Sequence, residues 1–158
     1  MPVGMETTAP RLEFVTELEV AIASPIEIGE MGTGERRVIP IIGGVAKGPR
    51  LEGVIRPGGA DFQIIRPGGV TELVARYVIE AKGGALVYVE NTGIRHGPPE
   101  LLAKLREGES VDPALIYFRT APRFETASPE HAFLMRHIFI GVGARFPEEV
   151  RLGIWLVA

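Results

Sequence analysis

The stretch GGADFQIIRPGG (residues 58–69) predicts a short β-strand with a Gly-Gly corner at each end. Because side chains two residues apart on a strand share a face, Asp61 and Gln63 project to the same side. If that side lines a barrel, an acid and an amide face a largely apolar interior, which is how small-molecule sites are built. The stretch therefore locates a candidate site but does not name its ligand.

Short apolar segments separated by glycine and proline run through the rest of the chain, which is typical of an all-β fold. Leu12–Ile22 alternates cleanly, and its apolar face is expected to carry Leu12, Phe14, Thr16, Leu18, Val20 and Ile22. We expect residues 29–36 to form a loop. Further strands are predicted at residues 37–45, 51–56, 60–66, 71–80, 85–91, 114–120, 133–142 and 150–157.

Two hairpins and two helical segments complete the predicted fold. The hairpins join residues 51–56 to 60–66 and residues 71–80 to 85–91. Residues 97–108 form a helix with proline and glutamate in its first turn, and residues 128–130 start a single helical turn. About nine or ten strands with one short helix indicate a closed antiparallel β-barrel or a sandwich.

The composition excludes one class of partner. The chain has 158 residues, of which 46% are hydrophobic and 23% charged, as in ordinary soluble globular proteins. Its formal net charge is −3, with Lys and Arg spread along the chain, whereas phosphate binding needs a concentrated basic footprint. We therefore expect no nucleic-acid partner.

Cysteine content and the apolar segments of the sequence bear on where the protein is found in the cell. The chain contains no cysteine, so disulfides and thiolate sites are excluded. Residues 1–10 have no apolar core of the kind a signal peptide needs, and runs such as residues 138–140 are too short to span a bilayer. We expect a cytoplasmic protein without a membrane partner, with residues 1–10 as a flexible tail and residues 11–158 as one barrel domain.

Motifs for cofactor or metal chemistry are also weak. Residues 32–34 and 141–143 lack the third glycine and the strand–helix context of a dinucleotide site. The three imidazoles, His96, His131 and His137, show no ligand spacing. We expect neither a cofactor nor a metal.

A set of polar residues embedded in apolar strands carries the functional hypothesis. Its members are Arg37, Asp61, Gln63, Arg76, Tyr77, Asn91, Arg95, Arg119 and Glu125. In one interpretation, Asp61 pairs with an arginine and only fixes the barrel register. In the other, the arginines orient a carboxylate, carbonyl or phenolate and Asp61 acts as a general base. Strand parity favours Tyr77 over Arg76 as the inward side chain.

Several of these residues lie in runs that resemble the domain of unknown function 3237 family of uncharacterised bacterial proteins. The runs are residues 37–44, 58–63, 76–77 and 117–126, and residues 134–143 fit the final core strands. The resemblance covers about residues 12–158. It implies a compact, closed antiparallel β-barrel, similar in shape to the lipocalin-like barrels and often found as a homodimer or larger homo-oligomer. A few fungal relatives are linked to cofactor-independent ring-forming or addition steps.

The resemblance places polar family positions on Arg37, Asp61, Gln63, Arg76, Tyr77, Arg119 and Glu125. Phe62 and Gly68 stand where relatives commonly carry Trp and Asp. The leading hypothesis is a small-molecule-binding barrel that acts as a cofactor-independent lyase, isomerase or ring-forming enzyme on an oxygenated or aromatic metabolite. In it, Asp61 moves a proton, Tyr77 assists as a donor, and Arg37 and Arg119 hold an oxyanion. The alternative is a non-catalytic ligand-binding or oligomeric structural protein.

Overall fold

Ten antiparallel strands form one continuous sheet in the computed structural model, which describes residue 4 and residues 8–158. The expected flexible tail, residues 1–10, lies largely outside the described residues. The strands are β1 (Leu12–Ile22), β2 (Ile26–Glu30), β3 (Glu35–Lys47), β4 (Gly53–Ile55), β5 (Gly59–Ile65), β6 (Thr71–Ala81), β7 (Leu86–His96), β8 (Tyr117–Thr126), β9 (Ile138–Arg145) and β10 (Glu149–Val157). Helix α1 spans Pro99–Arg106, and 3₁₀ segments span Pro113–Leu115 and Pro129–Met135.

The long strand β3 closes the sheet into a barrel. On one edge it pairs with β1 and β2, and on the other with β4 and β5. The ten strands therefore occupy eight positions around the barrel. The predicted closed antiparallel barrel is confirmed.

The predicted hairpin between residues 51–56 and 60–66 is wrong. Strands β4 and β5 each pair antiparallel with β3 and β6, so they run in the same direction and lie end to end. Gly58, at a φ of 112°, kinks the chain between them without reversing it. A Cβ on Gly59 would meet the Cβ of Tyr77 at 2.6 Å, so the glycine lets β5 start close against β6.

The predicted inward face of β1 is also corrected at its start. A bulge shifts the register between Phe14 and Thr16, so Val15 and Thr16 are both buried while Leu12 and Phe14 are exposed. The extra residue of a bulge reverses the alternation on one side of it. Phe14 packs instead on the outside against Trp155, with ring centroids 5.1 Å apart.

The structure adds strand β2, which the sequence did not predict, and changes the bounds of other segments. Residues 29–36 were expected to be a loop, but β2 and β3 leave only residues 31–34 between them. A 3₁₀ segment replaces the start of the strand predicted at residues 133–142, and β8 begins and ends later than predicted. The second hairpin and the helix are present. Within residue 4 and residues 8–158, no helix has the length and apolar character needed to cross a membrane.

The barrel interior is divided into an apolar half and a polar half. One end is filled by packed hydrocarbon from Val15, Leu18, Ile79, Val87, Val89, Phe124, Phe139, Ile154 and Leu156. Toward the other end, the same strands carry polar side chains inward, and helix α1 follows directly from β7 at that end. We call this opening the mouth of the barrel. The packed apolar end supplies the buried apolar area that stabilises the fold, and the mouth carries the candidate site.

Replacing Ile154 with Ala is expected to lower the free energy of unfolding by about 2–5 kcal/mol, because it leaves a cavity in the packed end. Ile154 is 0% exposed, whereas Ile138 on the neighbouring strand is 72% exposed. The matched Ile138→Ala variant should change stability by less than about 0.5 kcal/mol. Urea unfolding of wild type and the two variants measures their free energies of unfolding. Equal losses of stability in the two variants would contradict the assignment of Ile154 to the core and of Ile138 to the surface.

Candidate functional site

Eight polar side chains lie in or near the mouth half of the barrel interior, and all of them except the half-buried Asp61 are buried. They are Arg37, Asp61, Gln63, Thr71, Asn91, Arg95, Thr120 and Arg145. A chamber of about 30 Å³ lies among the deeper members. A larger pocket of about 400 Å³ lies at the mouth, between helix α1 and the ends of the strands. The arrangement is a pocket at the mouth above a narrow chamber, whose mostly apolar lining includes the polar side chains of Asp61, Gln63, Asn91, Thr120 and Arg145.

Asp61 projects from the middle of β5 into the chamber, as the strand parity predicts. Its Oδ2 accepts a hydrogen bond from Gln63 Nε2 at 2.8 Å. Its Oδ1 has no hydrogen-bond partner among the described residues. Burial raises the pKa of Asp61, and the Gln63 hydrogen bond and the charges of Arg95 and Arg37 oppose that rise. Asp61 is therefore a carboxyl group that holds its proton more tightly than usual.

Arg95 is a buried cation near Asp61, whose charge opposes the fall in the pKa of Arg95. It projects from β7 into the mouth pocket, and no acidic side chain of the described residues forms an ion pair with it. Its guanidinium lies over the Phe118 ring, 5.5 Å from the centroid. Burial lowers the pKa of Arg95 to about 10, which leaves it charged at neutral pH. A desolvated charge of this kind is costly unless something pairs with it.

Two further arginines flank the same space. Arg37 on β3 is 2% exposed, and its Nη1 lies 3.5 Å from a carboxylate oxygen of Glu27 at the rim. Arg145 on β9 donates hydrogen bonds to the backbone carbonyls of Phe146 and Pro147. Burial lowers the pKa of both arginines.

The charge balance of this space favours an anionic ligand. Arg37, Arg95 and Arg145 contribute three positive charges, and the acids near them are Glu27, which pairs with Arg37 at the rim, and the half-buried Asp61. Since Asp61 is shifted toward its neutral form, it cannot neutralise them all. Arg37 and Arg95 line the mouth pocket, whereas Asp61 and Arg145 line the chamber below it.

Tyr77 lies one layer below Asp61, on β6. Its ring is buried and its hydroxyl has no hydrogen-bond partner among the described residues. Burial, with a smaller contribution from the Asp61 charge, raises the pKa of the Tyr77 hydroxyl. The phenol therefore stays neutral and can act as a donor. The prediction that Tyr77, not Arg76, faces inward is confirmed.

Three predicted ligand-binding residues lie on the outer surface, away from this space. Arg76 is 54% exposed and pairs with Glu90 at 3.6 Å. Arg119 and Glu125 are exposed on β8. Strand parity explains the correction, because Phe118 and Phe124 point inward and their neighbours must point outward. The structure brings together Arg37, Asp61, Gln63 and Tyr77, and it separates the other three from them.

Thr71, Thr120 and Arg145 belong to the polar interior and were missed from the sequence, whereas Asn91 and Arg95 were noted. Thr120 shares the inward face of β8 with Phe118, and Arg145 shares that of β9 with Phe139. Because side chains two residues apart on a strand share a face, the inward positions of Phe118 and Phe139 predict that Thr120 and Arg145 also point inward. Among the described residues, no group of three or more His, Asp or Glu side chains could hold a metal ion.

Helix α1 forms one wall of the mouth pocket. Leu102 and Leu105 line the pocket from the helix, opposite Ile65 of β5. Arg106, at the end of the helix, pairs with Glu35 of β3 and lies 3.8 Å from Glu27 of β2. The wall is thus apolar in the middle and charged at the rim.

Comparisons with known proteins agree with this fold. The model of the family described as "Protein of unknown function (DUF3237)" matches residues 10–157. A "UPF0311 protein" of Rhodopseudomonas palustris (strain TIE-1) is 53% identical over 147 residues, which cover 92% of this chain and 96% of that protein.

Solved structures show the same barrel. A conserved protein of unknown function from R. palustris has a TM-score of 0.94 at 49% identity, covering 96% of this chain and 100% of that chain. A beta-barrel like protein from Acinetobacter baumannii has a TM-score of 0.81 at 33% identity, covering 97% and 100%. An enzyme from Penicillium herquei has a TM-score of 0.74 at 18% identity, covering 99% and 100%, a likeness that shows the fold alone.

Replacing Asp61 with Asn is expected to remove a pH-dependent loss of stability. Burial raises the pKa of Asp61 in the folded state above the unfolded value of about 3.9. The stabilisation is complete below the unfolded pKa and is lost as the pH rises through the folded one. Wild-type stability should therefore fall relative to D61N by up to about 1.4 kcal/mol per pH unit in that window.

Urea unfolding of wild type and D61N from about pH 4 to about pH 8 measures this difference. The difference in the free energy of unfolding between wild type and D61N could instead stay constant, or grow in favour of the wild type as the pH rises. Either result would show that the pKa of Asp61 is not raised in the folded state.

Proposed function

The chain belongs to the DUF3237 family of proteins of unknown function, and we propose that it binds a small oxygenated or aromatic metabolite through an anionic group at the mouth of its barrel. The observation that carries the proposal is Arg95, a buried guanidinium that forms no ion pair with the described acidic side chains and lines a pocket of about 400 Å³. Pockets that hold small ligands range from about 300 to 1,000 Å³. An anion in this pocket would supply the missing partner.

The walls of the pocket suit an amphipathic ligand. Ile65, Leu102 and Leu105 form an apolar side, while Arg37 and Arg95 lie on the barrel side. A flat or branched hydrocarbon body would pack on the first set, with its carboxylate, enolate or phenolate on the second. Arginine suits this role because its planar fork matches the geometry of a carboxylate.

The proposal extends to proton transfer by Asp61. A carboxyl group whose pKa is raised by burial can give or take a proton near neutral pH, and burial raises the pKa of Asp61. The arginines would stabilise the negative charge that develops on the ligand oxygen as the proton moves. Tyr77, held neutral, would assist as a donor from below. Asp61 as the proton-transfer group, the arginines as the charge-stabilising groups and Tyr77 as a donor would together serve a cofactor-independent lyase, isomerase or ring-forming reaction.

A second candidate is a non-catalytic binding protein that uses the same pocket. The hydrogen bond from Gln63 favours it, since that bond engages one oxygen of Asp61 in a contact within the strand. The unpartnered Oδ1 favours catalysis, because it leaves one oxygen available. Turnover of a bound metabolite separates the two.

The homodimer or larger assembly stays a prediction. Apolar side chains are exposed on the neighbouring strands β7, β8 and β9, among them Ile94, Tyr117, Ile138 and Val142. Exposed apolar patches of this kind often mark contacts with a partner. Native mass spectrometry gives the subunit number directly.

Replacing Arg95 with Met is expected to weaken binding of 2-naphthoate, an aromatic carboxylate, at least tenfold, or about 1.4 kcal/mol. The same variant should not be less stable than the wild type, because it removes an unpaired buried cation and keeps the side-chain volume. Arg76→Met is the matched control, since Arg76 lies on the outer face. It should leave binding unchanged.

Isothermal titration calorimetry measures the affinity of each protein for 2-naphthoate. The same measurement with neutral 2-naphthamide tests whether binding needs a negative charge on the ligand. Equal binding of 2-naphthoate by wild type and R95M would overturn the anion site.

Replacing Asp61 with Asn is expected to lower the turnover of a true substrate by about 10²–10⁴-fold, the range for general acid–base catalysis. A thermal-shift screen against a metabolite library supplies the candidate substrates, and product formation is followed by mass spectrometry. D61N should still bind 2-naphthoate, because the arginines remain. Unchanged turnover in D61N would remove Asp61 from the chemistry and leave the binding proposal intact.

A further inference from the structure

Glu27 lies at the rim of the mouth pocket, with its carboxylate between two arginines. One oxygen is 3.5 Å from Nη1 of Arg37, and the other is 3.8 Å from Nη2 of Arg106. The Glu27 side chain is 49% exposed, whereas that of Arg37 is 2% exposed. A half-exposed carboxylate from β2 thus reaches over the edge of the pocket to a buried cation.

Glu27 is the one acidic side chain among the described residues that forms an ion pair with Arg37. Arg106 has a second acidic partner, Glu35, and Glu27 lies near Arg106 as well. The carboxylate of Glu27 could therefore leave Arg37 without becoming isolated, because Arg106 and water remain within its reach. Arg37, in contrast, would then need another anion.

We propose that Glu27 is a specificity-determining residue that occupies the anion position on Arg37 and is displaced when the anionic group of a ligand binds there. The inference rests on the proposed function, since it assumes that the ligand is an anion bound at the mouth. It assigns Glu27 the role of an internal competitor.

An internal competitor selects for a class of ligand. Because Glu27 is part of the chain, its carboxylate faces Arg37 at a high effective concentration. A small inorganic anion offers only charge and would compete poorly. A carboxylate with an aromatic or branched body gains further binding energy from the apolar wall of α1 and β5, and this gain lets it replace Glu27. The selected class is amphipathic organic acids.

The Glu27→Gln variant tests the inference with 2-naphthoate as the probe. Removing the competing charge is expected to tighten binding of the probe about fivefold, which matches an ion pair of about 1 kcal/mol. Binding of neutral 2-naphthamide should not change. Glu35→Gln is the matched control, because it makes the same charge change next to Arg106 without an ion pair to Arg37. It should alter affinity less than about twofold.

The outcomes separate the two proposals. If wild type binds 2-naphthoate through Arg95 and E27Q binds no tighter than E35Q, the competitor role is overturned and the anion site stands. If neither wild type nor E27Q binds the probe, both are overturned. Calorimetry gives the affinities, and urea unfolding checks that both variants are folded. A fivefold gain confined to E27Q and to the charged probe supports the competitor role.

Discussion

A surplus of buried positive charge at the mouth of the barrel is the constraint on which the rest of the site depends. Three arginines face a space in which the half-buried acid, Asp61, is itself shifted toward its neutral form by burial. Charged groups inside a protein are retained at a cost in stability. The fold tolerates this cost because its other end is filled by apolar side chains from six strands. The apolar half of the barrel interior thus stabilises the fold, and the polar half carries the proposed site.

The closure of the barrel fixes which side chains meet. Strand β3 places Arg37 opposite Gln63 of β5, and β5 places Asp61 opposite Ala75 of β6. The small side chain of Ala75 leaves room beside the acid, and the chamber lies in that layer. A slip of one residue in any of these pairs would turn the acid to the outer surface. The site is therefore a property of the register, as well as of the residue types.

Period-two alternation predicted strands that form a barrel or a sandwich, and the family resemblance selected the barrel. Asp61, Gln63 and Tyr77 were placed by parity within a single strand. Arg119 was misplaced because it was selected by residue type, although Phe118 beside it sets the opposite phase. Glu27 could not be found, since its contact with Arg37 depends on the pairing of β2 with β3 in a segment partly read as loop. Contacts between strands are set by register, which one strand alone does not reveal.

The proton on Asp61 and the anion in the mouth are coupled in the proposed reaction. A bound anion adds negative charge near Asp61 and reduces the influence of the arginines that now lower its pKa. Both effects stabilise the protonated acid. In the proposed reaction, Asp61 would therefore act first as a proton donor, and as a base only after that proton has left. A reaction that begins by protonating the ligand, such as an addition across a double bond or the loss of a protonated leaving group, fits this order better than one that begins by removing a proton.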